Sequence, residues 1–191
     1  AQIEVSPYGQ EKEITTAGLA KMNLVLHNKA TGEIYAGNTF SDPHYMDEKD
    51  SSKLKRFDFI VANPPFSLKN WTDGLKDYGR FSGYGDTPPE KNGDFAWLLH
   101  ILKSLKSTGK AAVILPHGVL FRGNAEATIS NLSRTSLVRS SISYPNSNSR
   151  VITDTFSREF DVMCFKCSAE FRVFSRGRVM LFSISSALAP G

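Results

Sequence analysis

An α/β fold built on a parallel sheet is predicted for the first two-thirds of this 191-residue chain from three observations. Residues 1–129 alternate strand-like and helix-like patterns. The run Phe57-Asp58-Phe59-Ile60-Val61-Ala62 is nearly continuous in apolar and aromatic side chains, as in a strand buried on both faces of a parallel sheet. That run passes straight into Asn63-Pro64-Pro65-Phe66. Proline cannot continue a central strand, so the tetrapeptide falls at the strand's carboxyl end, where open α/β sheets bind ligands.

Taken in chain order, Ile3 to Tyr8 reads as a short strand ending at Gly9. Thr15 or Thr16 can cap a helix reaching about Asn28, with Leu19, Met22 and Leu26 as its apolar stripe. A turn at Gly32 leads into a short strand, Ile34 to Ala36, and then into Gly37-Asn38-Thr39. Beyond the tetrapeptide, residues 67–93 have no clear periodicity and hold five glycines, two prolines, Trp71, Tyr78, Phe81 and Tyr84. So long a loop reads either as a functional lid or DNA-contacting loop, or as a solvated insertion. Asp94 or Asn92 can cap the next helix. Its buried stripe is Phe95, Leu98, Leu99, Leu102 and Leu105, with Lys103 and Lys106 suiting its last turn and Gly109 ending it. Lys110 to Leu115 reads as a second buried strand, stopped by Pro116, and residues 123–133 as a further helix.

The texture changes near residue 130. Residues 130–191 carry 14 Ser, 7 Arg and one Lys, against 8, 3 and 12 in residues 1–129. Two domains are therefore expected: an α/β unit over 1–129 and a Ser/Arg-rich segment over 130–191. For the second, a small domain, a disordered tail and an altered reading frame all fit. Its apolar patches lie near Val162 to Phe165 and Val179 to Ile184.

Composition narrows the function classes. The net charge of +4 would ordinarily point to a nucleic-acid partner. Yet Lys+Arg and Asp+Glu balance at 15 each over residues 1–129, so the excess lies wholly downstream. No apolar run approaches the ~20 residues of a membrane span, and no signal peptide is visible. Cys164 and Cys167 form one C-x-x-C pair without the further ligands a zinc site needs; no metal is expected, and a cytoplasmic setting follows from the lack of a disulfide framework.

The tetrapeptide carries the chemistry. Asn63 offers a side-chain carbonyl acceptor, and Pro64 a main-chain carbonyl with no N–H beside it. The two prolines stiffen the loop, so both acceptors are fixed before a substrate arrives. Phe66 offers a flat apolar face for stacking a base, worth ~1–3 kcal/mol. Such a set can hold an exocyclic amine by its hydrogens and aim its lone pair, which is positioning and electrostatic preorganisation without a covalent intermediate. The bland alternative is a turn after a strand.

Phe57-Asp58-Phe59-Ile60-Val61-Ala62-Asn63-Pro64-Pro65-Phe66 resembles motif IV of the amino-group methyltransferases that use S-adenosylmethionine. Its flanks are more specific. Tyr8-Gly9-Gln10-Glu11 with Leu19-Ala20-Lys21-Met22-Asn23-Leu24, Gly93-Asp94-Phe95-Ala96-Trp97-Leu98, and the stretch from Gly109 to Gly123 resemble the modification subunits of type I restriction-modification systems. The resemblance covers about residues 3–129. It implies a Rossmann-like class I methyltransferase sheet with flanking helices, and transfer of a methyl group from S-adenosylmethionine to N6 of an adenine flipped out of double-stranded DNA. It also implies a separate specificity subunit that chooses the site, and a restriction subunit as a further partner.

The resemblance assigns Asn63, Pro64, Pro65 and Phe66 to the catalytic loop, and Glu11, Asn38 and Asn63 to the cofactor. Glu11 would accept from the ribose hydroxyls. Asn38 stands where the family often has an acidic residue near the cofactor adenine. His117 follows a strand and is left out of the catalytic set. The family's glycine-rich motif I has no counterpart before Gly9, so the sheet is expected to lack its first, central strand, and this chain alone is expected to bind cofactor weakly and to methylate poorly or not at all. The later Gly-Thr-Gly-Ile-Pro-like stretch is also missing. The alternatives are an amino-group methyltransferase acting on RNA or protein glutamine, or an inactive fragment serving as an assembly module.

Overall fold

The structure, a computed structural model, describes residues 5–28, 31–116, 119, 123 and 128, and the backbone of 139–141, 161–163 and 177–182. Its strands are β1 (Val5–Glu11), β2 (Glu33–Ala36), β3 (Phe57–Ala62), β4 (Leu105–Val113), β5 (Arg139–Ser141), β6 (Asp161–Met163) and β7 (Gly177–Phe182). All pair in parallel in one sheet, in the order β2-β1-β7-β3-β4-β6-β5. Helix α1 (Ile14–Leu26) connects β1 to β2, and α2 (Asp94–Lys103) lies between β3 and β4. The alternating α/β pattern thus yields the parallel sheet it predicts.

The central position holds a strand. β7 lies between β1 and β3, pairing Val5–Gln10 with Gly177–Phe182 on one side and Phe59–Ala62 with Val179–Phe182 on the other. This strand comes from downstream, from the apolar patch near Val179. The first strand also continues past Gly9, which pairs with Ile34 and Leu181. Glycine bounds a strand only where the chain must turn, and here the turn comes after Glu11.

Helix α2 is apolar almost all round, with every residue from Asp94 to Leu102 buried. Periodicity identified only one of its faces. Ala96, Trp97 and Ile101 join Phe40, Phe57, Ile60, Trp71 and Val113 in the main core, while Phe95, Leu98, Leu99 and Leu102 pack with Tyr84 and Val119. A helix hydrophobic on all sides needs cover on all sides. Residues 67–93 supply it. Trp71, Arg80 and Tyr84 are buried, so this segment is a packed cover and not a solvated insertion.

The helix ends at Lys103, earlier than Gly109 predicted. Leu105 already pairs with Phe57, and the next paired residues are Phe59 and Lys110, so two steps along β3 match five along β4. Gly109 lies in this bulge. A Cβ there would sit 3.0 Å from the Asp58 carbonyl oxygen and 2.9 Å from Leu105 side-chain carbons, so glycine answers a close approach and not a helix stop. Lys106 leaves the helix too and pairs with Asp58 at 2.8 Å.

Helix α1 is reversed relative to its predicted stripe. Its N-cap is Glu13, without a side-chain cap hydrogen bond, and Thr15 and Thr16 lie inside it. Ala17 is buried and Ala20 and Leu24 are half-buried on its inner face, whereas Leu19, Met22 and Leu26 are 60–78% exposed, together with Ile14 and Val25. The inner face carries two alanines and one leucine, and the other large apolar side chains look outward.

Candidate active site at the carboxyl ends of β1 and β3

The register of the central strands sets the site. Gln10 of β1 and Ala62 of β3 both pair with Phe182 of β7. Glu11 and Asn63 are the next residues on either side. They stand level at the carboxyl edge, two strand spacings or roughly 10 Å apart. Asn38 lies two residues beyond β2, whose last residue, Ala36, pairs with Glu11.

Glu11 is buried, and its Oε1 accepts from the Glu13 backbone N–H at 3.1 Å. Its Oε2 is buried without a hydrogen-bond partner among the described residues. An unsatisfied buried carboxylate oxygen is costly, and a ligand hydroxyl would satisfy it. Asn38 uses its side-chain carbonyl to accept from the Phe40 N–H at 2.9 Å, an Asx turn, so its amide NH2 is the group it can offer outward. Gln10 organises the same loop. Its Nε2 donates to the Gly37 and Asp42 carbonyls at 3.2 and 2.7 Å, and its Oε1 accepts from the His44 N–H at 3.1 Å.

The tetrapeptide leaves β3 without a break in pairing. The Ile114 N–H donates to the Ala62 carbonyl at 2.9 Å, which fixes the peptide just before Asn63. Asn63 and Pro65 are half-buried, Pro64 is buried, and Phe66 is 49% exposed at the tip. A half-exposed phenylalanine at the end of a buried strand leaves a flat apolar face open at the carboxyl edge of the sheet.

Behind the tip, Ser67 adopts φ +51°. Its N–H donates to Asp94 Oδ1 at 2.8 Å, and the Gly93 N–H donates to the Leu68 carbonyl at 2.9 Å. The Trp71 indole donates to the Pro89 carbonyl at 3.0 Å, tying the two ends of the 67–93 cover. Arg80 is fully buried and donates to the Lys76, Asp77 and Thr39 carbonyls. Burial pushes its guanidinium down to about 10. These bonds fasten the cover to the Asn38–Phe40 turn, so the two loops flanking the site form one unit.

A family profile described as N-6 DNA methylase matches residues 1–148. The chain belongs to the N-6 DNA methylase family. Its relatives include the type I restriction enzyme HindI methylase subunit of Haemophilus influenzae, 40% identical over 117 residues, which are 60% of this chain and 24% of that protein. The MjaIX methylase subunit of Methanocaldococcus jannaschii is 32% identical over 131 residues, 66% of this chain and 22% of that protein. The MpnII methylase subunit of Mycoplasma pneumoniae is 35% identical over 135 residues, 65% of this chain and 24% of that protein. The chain thus spans about a quarter of the length of these methylase subunits.

Sequence reading alone missed Gln10, Arg80 and Asp94, whose hydrogen bonds hold the loops around the candidate site. Only Asp94 carried a signal, as a helix start. His117, Cys164 and Cys167 lie outside the described residues. Among the described residues no group of acidic, His or Cys side chains could hold a metal, and no helix is long and apolar enough to cross a membrane.

Proposed function

We propose that this chain is the target-base part of a type I modification subunit, a DNA adenine-N6 methyltransferase with a Rossmann-like class I sheet. The observation that carries the reading is the placement of Asn63-Pro64-Pro65-Phe66 at the carboxyl end of β3, level with Glu11 across β7, in a chain of the N-6 DNA methylase family. S-adenosylmethionine, when bound, supplies an electrophilic methyl group on a sulfonium sulfur.

The residues divide the remaining tasks. The Asn63 side-chain carbonyl and the Pro64 main-chain carbonyl accept the two N6 hydrogens of the target adenine. Holding both draws the nitrogen toward a tetrahedral shape, so its lone pair is no longer spread into the ring. Pro65 keeps the loop from adjusting, and Phe66 stacks on the flipped base. Glu11 Oε2, without a hydrogen-bond partner among the described residues, would accept from a ribose hydroxyl of the cofactor. Asn38 offers its amide to the cofactor adenine. One N6 proton leaves to water after transfer, so no protein base is required.

Sequence choice would lie with a separate specificity subunit, consistent with the even charge of residues 1–129. A restriction subunit would join the same cytoplasmic assembly. The test is methyl transfer from labelled S-adenosylmethionine by the subunit produced together with its specificity partner. N6-methyladenine in duplex DNA is expected. Label found instead in RNA or in protein glutamine overturns the assignment.

A further inference from the structure

We infer that Asp94 is a positioning residue for the Asn63–Phe66 loop. The inference rests on the adenine-site reading and names a residue that acts on that site from behind.

Asp94 is only 1% exposed and is the first residue of α2. A buried carboxylate is expensive unless hydrogen-bonded, and a helix amino end is the place in a fold that best tolerates one. Its Oδ1 does not stay within the helix start. It reaches across 27 residues to accept the N–H of Ser67, the residue that follows Phe66. Ser67 holds φ +51°, a left-handed conformation that side-chain-bearing residues avoid unless their surroundings impose it.

Two neighbours reinforce the contact. Asn92 Oδ1 accepts from the Asp94 N–H at 3.3 Å, and Gly93 donates to the Leu68 carbonyl at 2.9 Å. A side chain at Gly93 would meet that carbonyl at 3.2 Å and Trp71 at 3.2 Å. The 92–94 turn is thus pressed on residues 67–68, with the carboxylate as its anchor. The other end of the tetrapeptide is held by Ile114 on the Ala62 carbonyl. The loop is clamped at both ends, and a charge-assisted bond supplies the stronger clamp on the Phe66 side. Asp94 therefore sets where the Phe66 ring and the two acceptor carbonyls point, without touching substrate.

The test compares D94A, D94N and D94E with N63A in the subunit assembled with its specificity partner. D94A is expected to lower kcat about 10- to 100-fold, the cost of a small misplacement of reacting groups. KM for DNA and Kd for S-adenosylmethionine should stay within about threefold, because ground-state binding is shared among other residues. D94N keeps an acceptor in place and should restore kcat to within about fivefold of wild type. The Ser67 amide should exchange its hydrogen about tenfold faster or more in D94A, while Leu98–Leu102 keep their protection. If D94A fails to fold, D94E carries the same expectation, since it keeps the charge but moves the carboxylate by one methylene. A kcat within about twofold of wild type in the folded variant overturns the inference. N63A leaving kcat intact would overturn the adenine-site reading instead, so the two failures are separable.

Discussion

On the proposed reading, each residue of the site acts through an atom that the surrounding fold leaves available or holds still. Asn63→Ala would then remove one of two acceptors on the target amine. The expected loss is about 10²-fold or more in the methylation rate, as for removal of one transition-state hydrogen bond. The melting temperature should hold, since Asn63 is half-buried and follows the end of β3. A rate unchanged in Asn63→Ala would leave the tetrapeptide without a chemical role. Glu11→Ala addresses the other half. A hydrogen bond to a charged group is worth about 1.5–3 kcal/mol, so Kd for S-adenosylmethionine should rise about 10- to 100-fold by titration calorimetry. The apo protein should lose little stability, because the loss of the Oε1 bond to the Glu13 N–H is offset by removing an Oε2 that is buried without a partner among the described residues. The tetrapeptide was legible because two prolines after a buried strand admit few structures. Glu11 was legible only through the resemblance of its segment. Asp94 was read as a helix cap because a contact across 27 residues leaves no local pattern.

The two helices show how far periodicity reaches at the scale of an element. Helix α2 was legible because it is strongly apolar and well bounded, yet its burial on every side depends on residues 67–93, which have no period of their own. Helix α1 is apolar on one face and lined with small residues on the other. Periodicity located the larger side chains and assigned them inward, but packing on the sheet selected Ala17, Ala20 and Leu24. Leu99→Ala in α2 should therefore cost about 2–5 kcal/mol in urea unfolding, because it opens a cavity in a fully buried cluster. Met22→Gln in α1 should change stability by less than about 0.5 kcal/mol, as expected of an exposed position. A large loss for Met22→Gln would mean that this face is covered in solution.

Across the whole molecule, the strand order was the least legible feature. Buried apolar runs identify strands but do not state which neighbours they take, and β7 enters the centre from a region read only as an apolar patch. Arg80, from the 67–93 cover, and His100, on α2, are both buried in the core, and the burial of His100 links stability to pH. His100 is buried, with its ring 6.1 Å from Phe40 and 6.2 Å from Trp97. Burial, and secondarily the Arg80 charge, hold its pKa well below the ordinary value of 6.5. The sign follows from the depressed pKa. Above about pH 6.5 both folded and unfolded chains carry a neutral imidazole, and His100 contributes no pH dependence. Below it the unfolded chain takes up a proton that the folded chain refuses, so stability falls with pH by up to about 1.4 kcal/mol per unit. Urea unfolding should therefore show lower stability at pH 5.5 than at pH 7.5, by on the order of 1 kcal/mol through this residue. His100→Phe keeps a ring among the same aromatic neighbours and cannot titrate, so it should remove that share of the acid loss. An equal acid loss in wild type and His100→Phe would show that His100 is protonated within the folded core, and that Arg80 and the apolar walls do not exclude the proton.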